Sequence, residues 1–177
     1  MKLFHFSEEP TIQRFEPHVP QTQPEASPLV WAIDETHAPN YFFPRDCPRV
    51  CFWSGPRTTR ADRERFFGPS TATTVIAVEF AWLERIRAAS IYVYYMPPDT
   101  FVPQDANAGY FVSDVAVVPS KVEPLGDPLQ RLASAGLELR LMQSLRPLKD
   151  ALIHSTVSFS MIRLRNVARD QRTSEPA

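Results

Sequence analysis

Val30-Trp31-Ala32-Ile33-Asp34-Glu35-Thr36-His37-Ala38-Pro39-Asn40-Tyr41 reads as a strand that runs straight into a helical turn. Leu29 to Ile33 is an unbroken apolar run bearing β-branched and aromatic side chains, the pattern of a short buried strand. Asp34 to Ala38 opens a helical turn that carries Asn40-Tyr41-Phe42-Phe43, and Pro44 stops it. The same junction is expected upstream. Leu3-Phe4-His5-Phe6 forms a strand, and Ser7 caps a short helix with Pro10 in its first turn and Ile12 and Phe15 facing inward. Strand-to-helix junctions repeated along one chain predict an α+β fold.

Downstream, Arg49 to Trp53 reads as a strand and Ser54-Gly55-Pro56 as a turn. A helix from Thr58 or Thr59 ends at Gly68, a left-handed terminal glycine. Val75 to Phe80 is a buried strand, Ala81 to Ala89 a short helix, and Ile91 to Met96 a strand that Pro97-Pro98 closes. Tyr110 to Ser113, Ala116 to Val118 and Lys121 to Leu125 read as short antiparallel strands. Asp127-Pro128 caps the clearest helix, with Leu129, Leu132 and Ala133 inward and Gly136 at its end. Leu139 and Leu141 alternate as an edge strand does, while Leu145, Leu148, Leu152 and Ile153 take helical spacing in an element of open type. Pro17 to Pro28 is a proline-rich loop suited to a lid, and residues 169–177 are a polar tail.

The chain has 177 residues, a hydrophobic fraction of 44% and an aromatic fraction of 11%, which predicts one domain over 1–168 with a filled core. Nineteen Lys and Arg against 20 Asp and Glu give a net charge of -1, so no global field draws it to nucleic acid or an anionic membrane. No stretch is apolar enough to span a bilayer, and Met1-Lys2-Leu3-Phe4-His5 lacks the apolar segment of a signal peptide. A cytoplasmic location is expected, with Cys47 and Cys51 as reduced thiols. Cys47, Cys51 and His37 lack the second pair that a zinc site needs, and no local motif supports a Cys–His nucleophile.

Three segments together resemble the ADP-ribosyltransferase-like fold, the NAD-binding scaffold of poly-ADP-ribose polymerases, diphtheria-type toxins and RNA 2′-phosphotransferases. Leu3-Phe4-His5-Phe6-Ser7 resembles its first strand, in which the histidine meets a ribose and the next residue grips the nicotinamide amide by its backbone. Phe6 stands where that family has glycine. The Val30 to Tyr41 stretch is similar to the one whose two aromatics flank the nicotinamide ring, a role the resemblance gives to Trp31 and Tyr41. Ala108-Gly109-Tyr110-Phe111-Val112-Ser113-Asp114-Val115-Ala116 resembles the strand of the catalytic glutamate, with Gly109 at the glutamate position and Tyr110 beside it.

The resemblance implies an α+β fold of short mixed or antiparallel strands with flanking helices. It implies a site with His5 and Tyr110 in catalytic roles and His5, Phe6, Ser7, Trp31, Tyr41 and Gly109 around NAD or a related nucleotide, with His5, Trp31 and Tyr41 converging. Asp105 and Glu123 are the carboxylates left to replace the glutamate, and Gly109→Glu is expected to restore nicotinamide release unless Gly109 has positive φ. The whole chain is also similar to bacterial proteins without an assigned activity that begin with a Leu-Phe-His-Phe-Ser strand.

The run Tyr41 to Arg49 sets Arg45 and Arg49 beside aromatic residues and prolines, where either arginine suits a phosphate clamp or an ion pair that fixes the loop. Arg57, Arg60, Arg63 and Arg65 interleave with Asp62 and Glu64 as on a solvated helix, which is no strong nucleic-acid signal. Tyr92, Tyr94 and Tyr95 are accounted for by strand packing. Three readings follow. The chain is an NAD-dependent transferase of the ADP-ribosyl or RNA 2′-phosphate type, a non-catalytic module for nucleotides or RNA ends, or a structural homodimer.

Overall fold

Alternation along the strands decides which side chains share a face, so the strands come first. A computed structural model describes residues 1–19 and 24–168. Among them run β1 (Leu3–Ser7), β2 (Val30–Asp34), β3 (Arg49–Trp53), β4 (Thr74–Glu79), β5 (Tyr92–Met96), β6 (Val102–Asp105), β7 (Tyr110–Ser113), β8 (Lys121–Pro124), β9 (Glu138–Met142) and β10 (Ser158–Ile162). The α-helices are α1 (Arg60–Phe67), α2 (Leu83–Ala88), α3 (Pro128–Ser134) and α4 (Arg146–Leu152). The molecule is α+β, with two sheets. The expected polar tail, 169–177, and Pro20 of the proline-rich loop lie outside the described residues.

The chain divides into two compact units, Met1–Arg45 with Glu84–Gly136, and Asp46–Leu83 with Leu137–Ala177. The first carries a six-stranded sheet in the order β6-β7-β2-β1-β5-β8. Every pairing in it is antiparallel. One face packs Leu3, Val30, Ala32, Tyr94, Met96, Phe101 and Val117, joined by Ile12 and Phe15. The other packs Phe4, Ile33, Ala38, Ile91, Val93 and Leu125, joined by Phe6, Tyr41, Tyr95 and Tyr110. Leu3 and Phe4, neighbours in sequence, sit on opposite faces because a strand turns successive side chains to opposite sides.

The second unit carries a four-stranded sheet in the order β10-β3-β4-β9. β9 runs parallel to β4 and the other two pairings are antiparallel. Val50, Phe52, Val75 and Ala77 of this sheet pack with Phe66 and Phe67 of α1, Leu145, Leu152 and Val157. Thr59 caps α1 by accepting from the Asp62 amide, and Gly68 ends it at φ 56°. Asp127 caps α3 by accepting from Leu129 and Gln130.

Several expectations need correction. No helix follows Ser7: residues 8–19 are irregular, with bends at Glu8 and Pro10, and are held by bridges of Phe15 to Val117 and His18 to Leu29. The Ala116–Val118 strand reduces to that single bridge at Val117. The helical turn after β2 is a short 3-10 helix, Ala38–Tyr41, that begins later than Asp34. The inner face of α3 is Pro128 and Leu132, with Leu129 half-buried and Ala133 exposed. The undecided element around 145–166 resolves into α4, β10 and a 3-10 helix at Leu164–Asn166.

Candidate aromatic site of the first unit

β1, β2 and β7 place an aromatic cluster on one face of the six-stranded sheet. Trp31 meets Tyr110 edge to face, with ring centroids 6.0 Å apart. Tyr41 meets Tyr110 at 6.5 Å and donates from Oη to Tyr110 Oη across 3.1 Å. Phe6 stacks on Tyr41 at 6.3 Å and 13°, and Phe42 packs edge-on against Phe6. The Trp31 Nε1 donor is buried with no hydrogen-bond partner among the described residues. The 3-10 turn delivers Tyr41 because Pro39 in its first turn fixes φ there.

His5 does not join these rings. On β1 it alternates with Phe4 and Phe6 and lies on the opposite face, with Tyr94 as its neighbour across the strand pair. Its ring packs 4.6 Å from Phe15, and Nδ1 lies 3.0 Å from the Trp31 carbonyl, so it contacts Trp31 through the main chain only. Burial pushes its pKa below the usual histidine value, and the Arg45 charge adds to that. Ser7 Oγ accepts from the Glu9 amide in a local turn. The expected convergence of His5 with Trp31 and Tyr41 is thus replaced by a Trp31–Tyr41–Tyr110–Phe6 group.

Gly109 has φ 72° and donates no space for a side chain. A Cβ there would lie 2.3 Å from His37 Nδ1 and 2.7 Å from Asp34 Oδ1. Asp34 Oδ1 accepts from both the His37 amide and Nδ1 at 2.8 Å, and the Gly109 carbonyl accepts from the Asp34 amide. Gly109→Glu is therefore no route to a carboxylate at this point, because the His37–Asp34 pair already fills it. The sequence offers His37 as a metal ligand or as the partner of a cysteine nucleophile. The Asp-x-x-His spacing at the end of a strand was the available signal for this pair.

Neither alternative carboxylate fills the role. Asp105 Oδ1 accepts from the amides of Asn107 and Ala108 in its own turn. Glu123 is bound by the Tyr95 hydroxyl and Lys121 on β8. In the strand order, β8 stands three positions from β2. At about 4.8 Å per step that is about 14 Å from the Trp31 strand. Arg45 is exposed, and its amide donates to Glu8 Oε2 at 3.0 Å. Arg49 belongs to the second unit, 2% exposed, and donates from Nη1 to the Cys47 carbonyl. Its burial withdraws it from a phosphate in solvent. Cys47 and Cys51 are buried thiols whose pKa burial raises to about 12.

Residues 4–167 match the Family of unknown function (DUF6886). The chain belongs to that family. No curated protein and no solved structure matches it. Among the described residues no helix is long and apolar enough to cross a membrane.

Proposed function

We propose that the first unit binds a nucleotide of the NAD or ADP-ribose type on an ADP-ribosyltransferase-like scaffold, without transferring ADP-ribose. The observation that carries this reading is Trp31 Nε1, a buried donor without a partner in a cluster of aromatic rings. A buried N–H left unpaired costs about 1–3 kcal/mol, and native proteins keep few of them. An acceptor on a flat ligand ring would recover that cost while Tyr41 and Tyr110 supply ring surface. Transfer chemistry needs a carboxylate that stabilises positive charge on the sugar more in the transition state than in the ground state. Gly109 has no room for one, the Asp34 carboxylate beside it is committed to His37, and Asp105 and Glu123 are engaged elsewhere.

The test is a thermal-shift panel with NAD, ADP-ribose, nicotinamide and phosphorylated nucleotides, followed by chromatographic assay of nicotinamide. A ligand at 100 times its Kd adds about 2.7 kcal/mol of stability. The expected result is stabilisation without nicotinamide release, lost in Trp31→Phe. Silence across the panel would overturn the reading. It would favour the homodimer instead, for which Val102, Val115, Val118 and Val122 offer exposed apolar surface, and light scattering would then find two chains.

A further inference from the structure

We infer that residues 8–19 form a strap closed over His5 and latched by the neutral imidazole, so that protonating His5 releases the strap. Three sets of contacts hold the strap to the first unit's sheet. Tyr94, fully buried, donates from Oη to the Glu9 carbonyl at 2.6 Å and accepts from the Ile12 amide at 3.2 Å. Phe15 and Val117 exchange two backbone bonds of 2.8 and 2.9 Å. His18 and Leu29 exchange two more, of 3.2 and 3.1 Å. Between these anchors Phe15 lies on both His5, at 4.6 Å, and Tyr94, at 5.2 Å.

His5 lies beneath this lid with one satisfied contact. Nδ1 meets the Trp31 carbonyl, which fixes it as the donor and leaves Nε2 unprotonated in the neutral ring. Protonation adds a second donor and a charge beneath an aromatic ring. The charged groups facing it make that worse: Arg45, from the turn after the Tyr41 helix, and His18, from the strap itself, both act against the imidazolium. The Glu8 carboxylate accepts from the Arg45 amide, outside the His5 ring's own contacts. The strands on either side contribute only the Trp31 carbonyl from β2 and the phenol of Tyr94 from β5, whose hydroxyl is committed to the strap. Opening the strap lets water solvate the cation, so proton binding and opening are linked.

The linkage has a definite sign. Closed-state His5 titrates below its ordinary value, so the closed strap keeps its full stability above about pH 6.5 and loses it as pH falls below. One proton limits the effect to about ten-fold in the opening constant per pH unit. Amide hydrogen exchange at pH 7.5 and 5.5, corrected for intrinsic rates, reads this at Ile12, Phe15 and His18. The opening constant is expected to rise by up to about ten-fold at those amides and to stay constant at β3 and β4 amides of the second unit. In His5→Gln the pH dependence should vanish, whereas His18→Gln should keep it. Protection that is independent of pH in the wild type would overturn the inference, as would a parallel rise at β3 and β4, which marks general unfolding. Should His5→Gln not fold, an NMR titration of the wild-type His5 ring decides: its midpoint must lie below about pH 6.5, inside the range over which strap exchange rises, and a midpoint at or above the ordinary histidine value would overturn the inference.

Discussion

Gly109 sits where a side chain has no room. Its φ of 72° is the left-handed region that a side chain enters at a cost of about 1–2 kcal/mol, and its neighbours leave a Cβ nowhere to go. Gly109→Ala must therefore displace the His37–Asp34 pair as well as strain the backbone. The expected loss is about 2 kcal/mol or more in urea denaturation, and a stability equal to wild type would show that the pair moves aside freely. The buried thiols give a second test at this scale. With their pKa near 12 and no exposure, Cys47 and Cys51 should resist a thiol reagent at pH 8 in the native protein and react in urea. Rapid native labelling would contradict their burial.

At the scale of elements, legibility followed local physics. β2 and β3 are apolar runs between breakers, and α1 and α3 announce themselves by Thr59 and Asp127 at their caps, which act on amides of the first turn. β6 was invisible because Val102-Pro103-Gln104-Asp105 is exposed throughout and has no alternation to read. Within the 8–19 strap the sequence predicts a short helix after Ser7 with Ile12 and Phe15 inward, because the cap-like Ser7 and the apolar spacing are real. What holds it out of a helix is tertiary, the Tyr94 hydroxyl and the Phe15–Val117 bridge. The site was half legible: Trp31 and Tyr41 do share a cluster with Tyr110. His5 went astray because alternation within Leu3-Phe4-His5-Phe6 sets it opposite Phe6, a consequence that was open to sequence reasoning. The Thr59 cap is directly testable. It accepts from Asp62, whose own carboxylate accepts from the Thr156 amide and hydroxyl, so Thr59→Ala should cost about 1 kcal/mol by chemical denaturation. A change below about 0.3 kcal/mol would mean that water replaces the cap without loss.

For the whole molecule the shifted groups combine into a stability profile whose steps can be assigned. The hydroxyl of Thr156 holds Asp62 below the usual carboxylate range, Ser70 and then Arg140 do so for Glu138, and Lys121 and then Tyr95 for Glu123. A depressed carboxylate contributes stability above its unfolded value, near pH 4, that is lost as pH falls through its folded value. His5 is also depressed, but as a base, so its contribution is complete above about pH 6.5 and declines below. Lys2 and Lys121 are raised by Glu35 and Glu123, and their contribution is complete below about pH 10.4 and lost above it. The urea midpoint should therefore be flat from about pH 7 to pH 10, fall first below about 6.5 and fall again below about 4. Lys2 and Lys121 are exposed and paired with carboxylates, so high salt should shrink the alkaline step by screening while sparing the His5 step, which arises from burial. In His5→Gln only the middle step should disappear. A wild-type midpoint constant between pH 7.5 and 5 would show that the folded and unfolded chains hold the His5 proton equally, and a closed strap that leaves the His5 proton undisturbed would give the latch no energetic basis.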